Sequence, residues 1–390
     1  MASKPTKHHV SKGQAAGIAG AVLGLAAAGA AAGVAISRVA ARRRLGPPPP
    51  DVDESRAHLR EDDPLGEGAR RADRTALVLA DDGVLLSVEE VGPTDAPLTV
   101  VFVHGYSLSM ASWTFQRQAL GAQLATANGS RPTARLVFYD QRGHGSSARG
   151  PAEHATIEQL AKDLATVIAQ RAPRGPVVLV GHSMGGMTIM GLAALHPELF
   201  GERVVAAALL STSSGNLADL SFGLPELLTR VRAAVIPVAA WTMRRRPAFA
   251  ESTRRWAADL VSAATWRLSF ASTDVDPRLG RYVDSMIAGT PVEVIAEFYP
   301  ALAGLDETGS LEPLRRIPVL VLSGEEDRMI PKEHSELIVE RLGGAGEDGV
   351  EFVVVPEAGH MVLLEKPDAV TAALSRLLRQ AATEAGVPVH

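Results

Sequence analysis

The stretch that decides the fold is Val177-Val178-Leu179-Val180-Gly181-His182-Ser183-Met184-Gly185-Gly186. Four apolar residues, three of them β-branched, read as a buried strand that runs without a break into Gly-x-Ser-x-Gly, and an amphipathic helical stretch over 184–196 leaves it. The pentapeptide alone is a weak signal; its strand-to-helix context is the strong part. A serine on so sharp a turn is forced into a strained backbone, and Gly181 and Gly185 remove side chains that would clash there. The turn lifts the hydroxyl clear of the sheet. The helix behind it offers a positive dipole end and free N–H groups to a developing oxyanion.

Working outward, short β-branched runs recur at 77–80, 84–91, 98–103, 136–139, 177–180, 204–210, 319–322 and 352–355. From the third onward they are almost unbroken apolar, as strands buried on both faces must be. Helical stretches such as 157–171 and 184–196 lie between them, so the pattern predicts a mostly parallel central sheet flanked by helices. Asp81-Asp82-Gly83 between the first two runs is a hairpin turn, so the sheet begins antiparallel. The rhythm breaks between Leu210 and Ile317, where no convincing strand occurs. A helical insertion at that point should sit as a cap over the strand C-termini, where open α/β sheets bind ligands.

A serine hydroxyl needs a base, and the base needs an orienting acid. Of the 11 histidines, His360 follows the last strand through Pro356-Glu357-Ala358-Gly359, in a loop at the sheet edge that carries Ser183. Asp327 lies just past the 319–322 strand, and the chain order Ser183, Asp327, His360 is the one this architecture predicts. Glu325 and Glu326 are rival acids, and a solvated loop charge is the bland reading of all three. His182, beside the serine, should point the wrong way on its strand. The oxyanion hole should take one backbone N–H from Met184 and a second from Tyr106, in the loop His104-Gly105-Tyr106-Ser107, where Gly105 allows close approach. His104 reads as a brace for that loop rather than a proton carrier.

Four motifs now stand together: Val103-His104-Gly105, Tyr139-Asp140-Gln141-Arg142-Gly143-His144-Gly145-Ser146-Ser147, Gly181-His182-Ser183-Met184-Gly185-Gly186, and Ala358-Gly359-His360. With Gly324 to Asp327 they span most of the body. The chain resembles the α/β-hydrolase superfamily, in the capped branch that includes monoacylglycerol lipases, bacterial carboxylesterases and cofactor-free haloperoxidases. The resemblance implies an α/β-hydrolase fold, a cap inserted before the strand that precedes Asp327, and a serine esterase without cofactor. In that family the 140–147 loop is chiefly structural, which is how Arg142 and His144 read. Serine at 183 speaks against the epoxide-hydrolase and haloalkane-dehalogenase branches. Related triad chemistries (peptidase, C–C hydrolase, acyltransferase, perhydrolase) stay open, as does a non-catalytic binding protein on the same fold, because a fold does not fix a substrate.

The remaining composition narrows the partners. There is no Cys among 390 residues, hence no thiolate metal site or cysteine nucleophile, and no His-Glu-x-x-His, phosphate loop or dinucleotide fingerprint. Residues 1–50 carry seven basic residues and no acid while the whole chain has a formal charge of -5, so the body is acidic and unsuited to nucleic acid. The organisation expected is a basic tail at 1–12, a charge-free Ala/Gly-rich segment at 13–37, a basic, Pro-rich and charged linker at 38–74, a core at 75–210 and 317–390, and the cap at 211–316. Trp241, Trp256 and Trp266 are candidates for an apolar lid surface that would suit an aliphatic ester or lipid. The plainer reading is that they form the lid's own core. The 13–37 segment is long enough to cross a bilayer and has basic flanks; it reads as a membrane anchor, with a cleaved signal or a soluble tail as alternatives. The charge balance sets the body marginally on the cytoplasmic side, and a secreted enzyme is the alternative. Deleting residues 1–46 should move the protein from the membrane fraction to the soluble one with esterase activity unchanged. Full-length protein that alkaline carbonate releases from membranes would overturn the anchor.

Overall fold

The eight apolar runs are the eight strands of one sheet: β1 (Arg74–Leu79), β2 (Leu85–Val91), β3 (Leu98–Val103), β4 (Ala134–Tyr139), β5 (Val177–His182), β6 (Val204–Leu210), β7 (Val319–Gly324) and β8 (Val350–Val355). The computed structural model describes residues 65–66, 71–125, 134–217, 265–272, 274–346 and 350–387. The strand order is β1-β2-β4-β3-β5-β6-β7-β8. β1 and β2 pair antiparallel around the Asp81-Asp82-Gly83 turn, β2 pairs antiparallel with β4, and every other pairing is parallel. The body begins slightly earlier than the charge pattern suggests. Arg74 opens β1 and donates to Glu90 at 3.1 Å, and Asp73 accepts the Gly92 N–H at 2.7 Å.

The helices cover both faces. On one side lie α2 (Ile157–Arg171), α3 (Met184–Leu195) and α6 (Lys332–Leu342); on the other lie α1 (Thr114–Leu120), α7 (Val362–Glu365) and α8 (Pro367–Glu384). Alternation along β3 shows the two-sided burial. Val101 and Val103 join the core with Leu160 and Met187, whereas Val100 and Phe102 join the one with Trp113 and Leu377. Two expectations need correction. Helix α3 is not amphipathic, because Met184–Ala193 are all buried where the helix crosses the centre of the sheet. β8 is not buried on both faces, because it is an edge strand and its residues 351–354 are only partly covered.

Between β6 and β7, the described residues form a helical stretch over 265–269, α4 (Pro277–Gly289), α5 (Val292–Ala303) and a 3-10 stretch over Thr308–Arg316, and no strand occurs among them. Gly215 and Asp306 form an isolated antiparallel bridge, and Glu307 N–H donates to Ser214 O at 2.7 Å, so the insertion leaves and rejoins the body at one neck. Trp266, in the helical residues 265–269, packs against α4, where a side-chain carbon added to Gly280 would fall 2.1 Å from its ring, and it meets Phe270 with ring centroids 5.3 Å apart. Both of these packing partners belong to the insertion. Trp241 and Trp256 lie outside the described residues, as does 13–37, and no helix among the described residues is long and apolar enough to cross a membrane.

The loop after β4 is fastened by charge. Arg142 is buried and grips Asp163 of α2 through Nε and Nη2, both at 2.7 Å, and Asp82 of the hairpin at 2.7 Å. Both acids hold its guanidinium charged against the cost of burial. Removing one member of such a cluster leaves an unpaired charge in the interior. Arg142→Leu should therefore lower unfolding free energy by about 3–5 kcal/mol, read from urea denaturation. A loss below about 1 kcal/mol would mean that Asp163 relaxes to solvent.

Candidate active site

Ser183 stands between β5 and α3 with φ 52° and ψ -120°, left-handed backbone that a non-glycine residue rarely adopts. Two glycines make that turn possible by close approach. A side chain at Gly185 would fall 2.1 Å from the Val103 carbonyl oxygen, and one at Gly181 would fall 2.6 Å from the Gly185 backbone. The helix N-terminus is thereby pressed onto the end of β3. Met184, first residue of α3, has no acceptor for its N–H within the helix. The loop after β3 lies against the serine on the same side: a side chain on Gly105 would meet Ser183 Cβ at 3.1 Å and His182 Nδ1 at 2.9 Å.

The other two candidates come from the ends of β7 and β8. Asp327 Oδ2 and His360 Nδ1 are 2.8 Å apart, and both residues are buried. Asp327 Oδ1 accepts the N–H groups of Met329 at 2.9 Å and Ile330 at 2.8 Å, which fixes the carboxylate plane. Of the rival acids, Glu325 is exposed and Glu326 is exposed and paired with Arg328 at 3.0 Å. The His360 loop is also braced. Glu365 accepts from Gly359 N–H at 2.7 Å and from Ala271 N–H at 3.0 Å, and Met361 N–H donates to Ser269 O at 2.8 Å.

Three further histidines are fully buried around this centre. His182 does not point away from it: its Nε2 donates to the His360 carbonyl at 3.0 Å, and the two rings are 4.9 Å apart. The residue preceding the serine thus carries the histidine loop. At His104, Nε2 accepts the Gln141 N–H at 2.9 Å, so the proton sits on Nδ1 and is donated to Gly105 O at 2.8 Å. Both nitrogens are used in bracing, and burial with the neighbouring His144 holds its pKa down at about 3. His144 donates from Nδ1 to Arg142 O at 2.9 Å, and burial holds its pKa at about 4. Gln141 and Asp140 carry no sequence signal beyond their motif, yet both brace the centre. Gln141 Nε2 donates to His104 O at 2.7 Å while its Oε1 accepts from Thr188 at 2.9 Å, and Asp140 accepts N–H groups of Met110 at 2.7 Å and Ser146 at 2.8 Å. Among the described residues no cluster of His, Asp and Glu could hold a metal ion.

A family model described as "Alpha/beta hydrolase family" matches residues 100–373. The bifunctional esterase/perhydrolase of Acinetobacter calcoaceticus is 25% identical over 264 residues, covering 66% of this chain and 84% of the relative. The monoacylglycerol lipase of Mycolicibacterium smegmatis is 28% identical over 281 residues, covering 70% and 84%. A thermophilic esterase from Thermogutta terrifontis superimposes with a TM-score of 0.58 at 26% identity, covering 79% of this chain and 99% of that structure.

The buried histidines set a pH limit on stability. Burial lowers the pKa of His104, His144 and His182 in the folded protein, whereas the unfolded chain titrates near ~6.5. Above that value both states are neutral and stability is complete. Below it the unfolded chain takes up protons that the folded chain refuses, so stability falls as pH drops from about 6.5 toward the folded values, by roughly 4 kcal/mol per pH unit for the three together. Urea midpoints at pH 7 and pH 5 should differ accordingly, and His144→Asn should flatten the dependence by about a third. Equal midpoints would mean that these rings are accessible to protons.

Proposed function

The chain belongs to the alpha/beta hydrolase family and is an enzyme of the hydrolase class, and on that premise we propose that it cleaves carboxylic esters through an acyl-enzyme on Ser183. The observation that carries the reading is the buried Asp327–His360 pair at 2.8 Å, held by His182 at the same sheet edge as a serine in strained backbone. In this reading His360 Nε2 takes the Ser183 hydroxyl proton as Oγ attacks the ester carbonyl. Asp327 fixes the Nδ1–H tautomer and stabilises the imidazolium that forms. The N–H groups of Met184 and Tyr106 receive the oxyanion. Collapse expels the alcohol, which takes the proton from His360; water then gives a proton to His360 as it attacks the acyl-enzyme, and Ser183 Oγ recovers that proton as the carboxylic acid leaves.

His104, Gly105, Gly181 and Gly185 support this centre rather than react, since the histidine is doubly bonded and the glycines serve close approach. Substrates with an apolar acyl chain, lipid esters included, suit an insertion rich in apolar residues, and a membrane anchor at 13–37 would bring the enzyme to them. The resemblance to lipases and esterases supports an ester substrate.

Ser183→Ala should lower kcat on p-nitrophenyl butyrate at least ~10⁴-fold, with His360→Ala nearly as severe and Asp327→Asn milder. The losses should not add, because the three groups act as one unit. A fluorophosphonate should label Ser183 in the wild type. An unlabelled serine, or activity that survives Ser183→Ala, would overturn the assignment.

A further inference from the structure

The insertion does more than cover the sheet edge, because it is bonded to the loop after β3 at successive points. The Tyr106 hydroxyl donates to the Ile295 carbonyl of α5. Ser107, the next residue, has φ 59°, a left-handed conformation that costs a non-glycine residue about 1–2 kcal/mol. Its carbonyl accepts from Thr290 Oγ1, between α4 and α5, at 3.3 Å; that hydroxyl also faces the Met286 carbonyl at 3.4 Å. Further along, the Tyr282 hydroxyl of α4 donates to Ala111 O at 2.8 Å. Burial raises the Tyr106 phenol pKa, so it remains a neutral donor.

Strain of this kind persists only where the surroundings over-determine it. Here the two ties fall on the strained residue and on the residue before it. Gly105 on the other side is wedged against Ser183 and His182. The peptide between Gly105 and Tyr106 is thus held from the sheet below and from the insertion above. We propose that the side-chain hydroxyls of Tyr106 and Thr290 are positioning groups: they hold the 105–107 backbone from the insertion so that the Tyr106 N–H meets the developing oxyanion. The inference rests on the reading of Ser183 as nucleophile. It makes the insertion part of the chemical step as well as of substrate choice, so an acetate ester too short to reach the insertion still feels the loss.

Tyr106→Phe keeps the ring and removes the donor. Measured per active site titrated with a fluorophosphonate, its kcat on p-nitrophenyl acetate should fall roughly 10-fold, part of what losing one oxyanion donor costs. KM should stay within about twofold, since the interaction is made in the transition state. Inhibition by a trifluoromethyl ketone, whose adduct places an oxyanion in the hole, should weaken by a similar factor. Thr290→Val should act in the same direction by several-fold, and Thr290→Ser should restore the rate; these variants decide the matter if Tyr106→Phe does not fold. A wild-type enzyme that is neither labelled nor active would overturn the assignment of Ser183 itself. A labelled, active wild type with unchanged kcat per site in the variants would overturn this inference alone, as would a change confined to KM or to the number of titratable sites.

Discussion

Everything at the centre depends on one contact between backbones, Gly185 against the carbonyl of Val103. No side chain takes part in it, and none could, since the first carbon would fall 2.1 Å from the oxygen. The contact fixes the height at which α3 meets the sheet. It sets the helix N-terminus beside the end of β3, where the following loop brings Gly105 against Ser183. β6 is registered on β5, and β7 on β6, by ladder hydrogen bonds, which carries Asp327 to the same edge. The geometry of the centre is therefore a property of the sheet and is inherited by the side chains.

Most of this was legible in the sequence for a physical reason. Central parallel strands are apolar on both faces, so their runs stand out against the linkers, and the strand-to-helix turn at Ser183 leaves its glycines as a signature. The edge strand β8 and helix α3 were misjudged because burial depends on the position of an element in the sheet, which local periodicity does not encode. Ser183, Asp327 and His360 could be named as candidates because each follows a readable strand. The support given by His182, Gln141 and Glu365 could not, since each acts on a backbone group brought near only by the tertiary fold, His182 on the His360 carbonyl and Glu365 on the Gly359 and Ala271 N–H groups. His182 is instructive: strand alternation says only that neighbouring side chains diverge, and hides that the ring is delivered to the His360 carbonyl.

The insertion is fastened on two sides of the centre. Its α4–α5 part holds the loop after β3, while the segment around Ser269 to Ala271 accepts from Met361 and shares Glu365 with Gly359. Arg328, next to Asp327, adds a bond to the Phe270 carbonyl at 3.1 Å. The acid loop, the histidine loop and the glycine loop each contact the insertion, so a displacement of that segment is felt by all three.

The neck at Gly215 and Asp306 bears on how such a chain can diversify. Where an excursion leaves and rejoins its scaffold at a single pairing, the entropy of closing it grows only with the logarithm of its length, about 0.6 kcal/mol for each doubling. Residues can then be gained or lost beyond the neck without disturbing the register of β6 on β7. The ties from residues 265–316 to the sheet-edge loops set the boundary of that freedom. Length is costly to vary within 265–316, where those ties fall, so lineages carrying this scaffold should keep that part of the insertion constant in length.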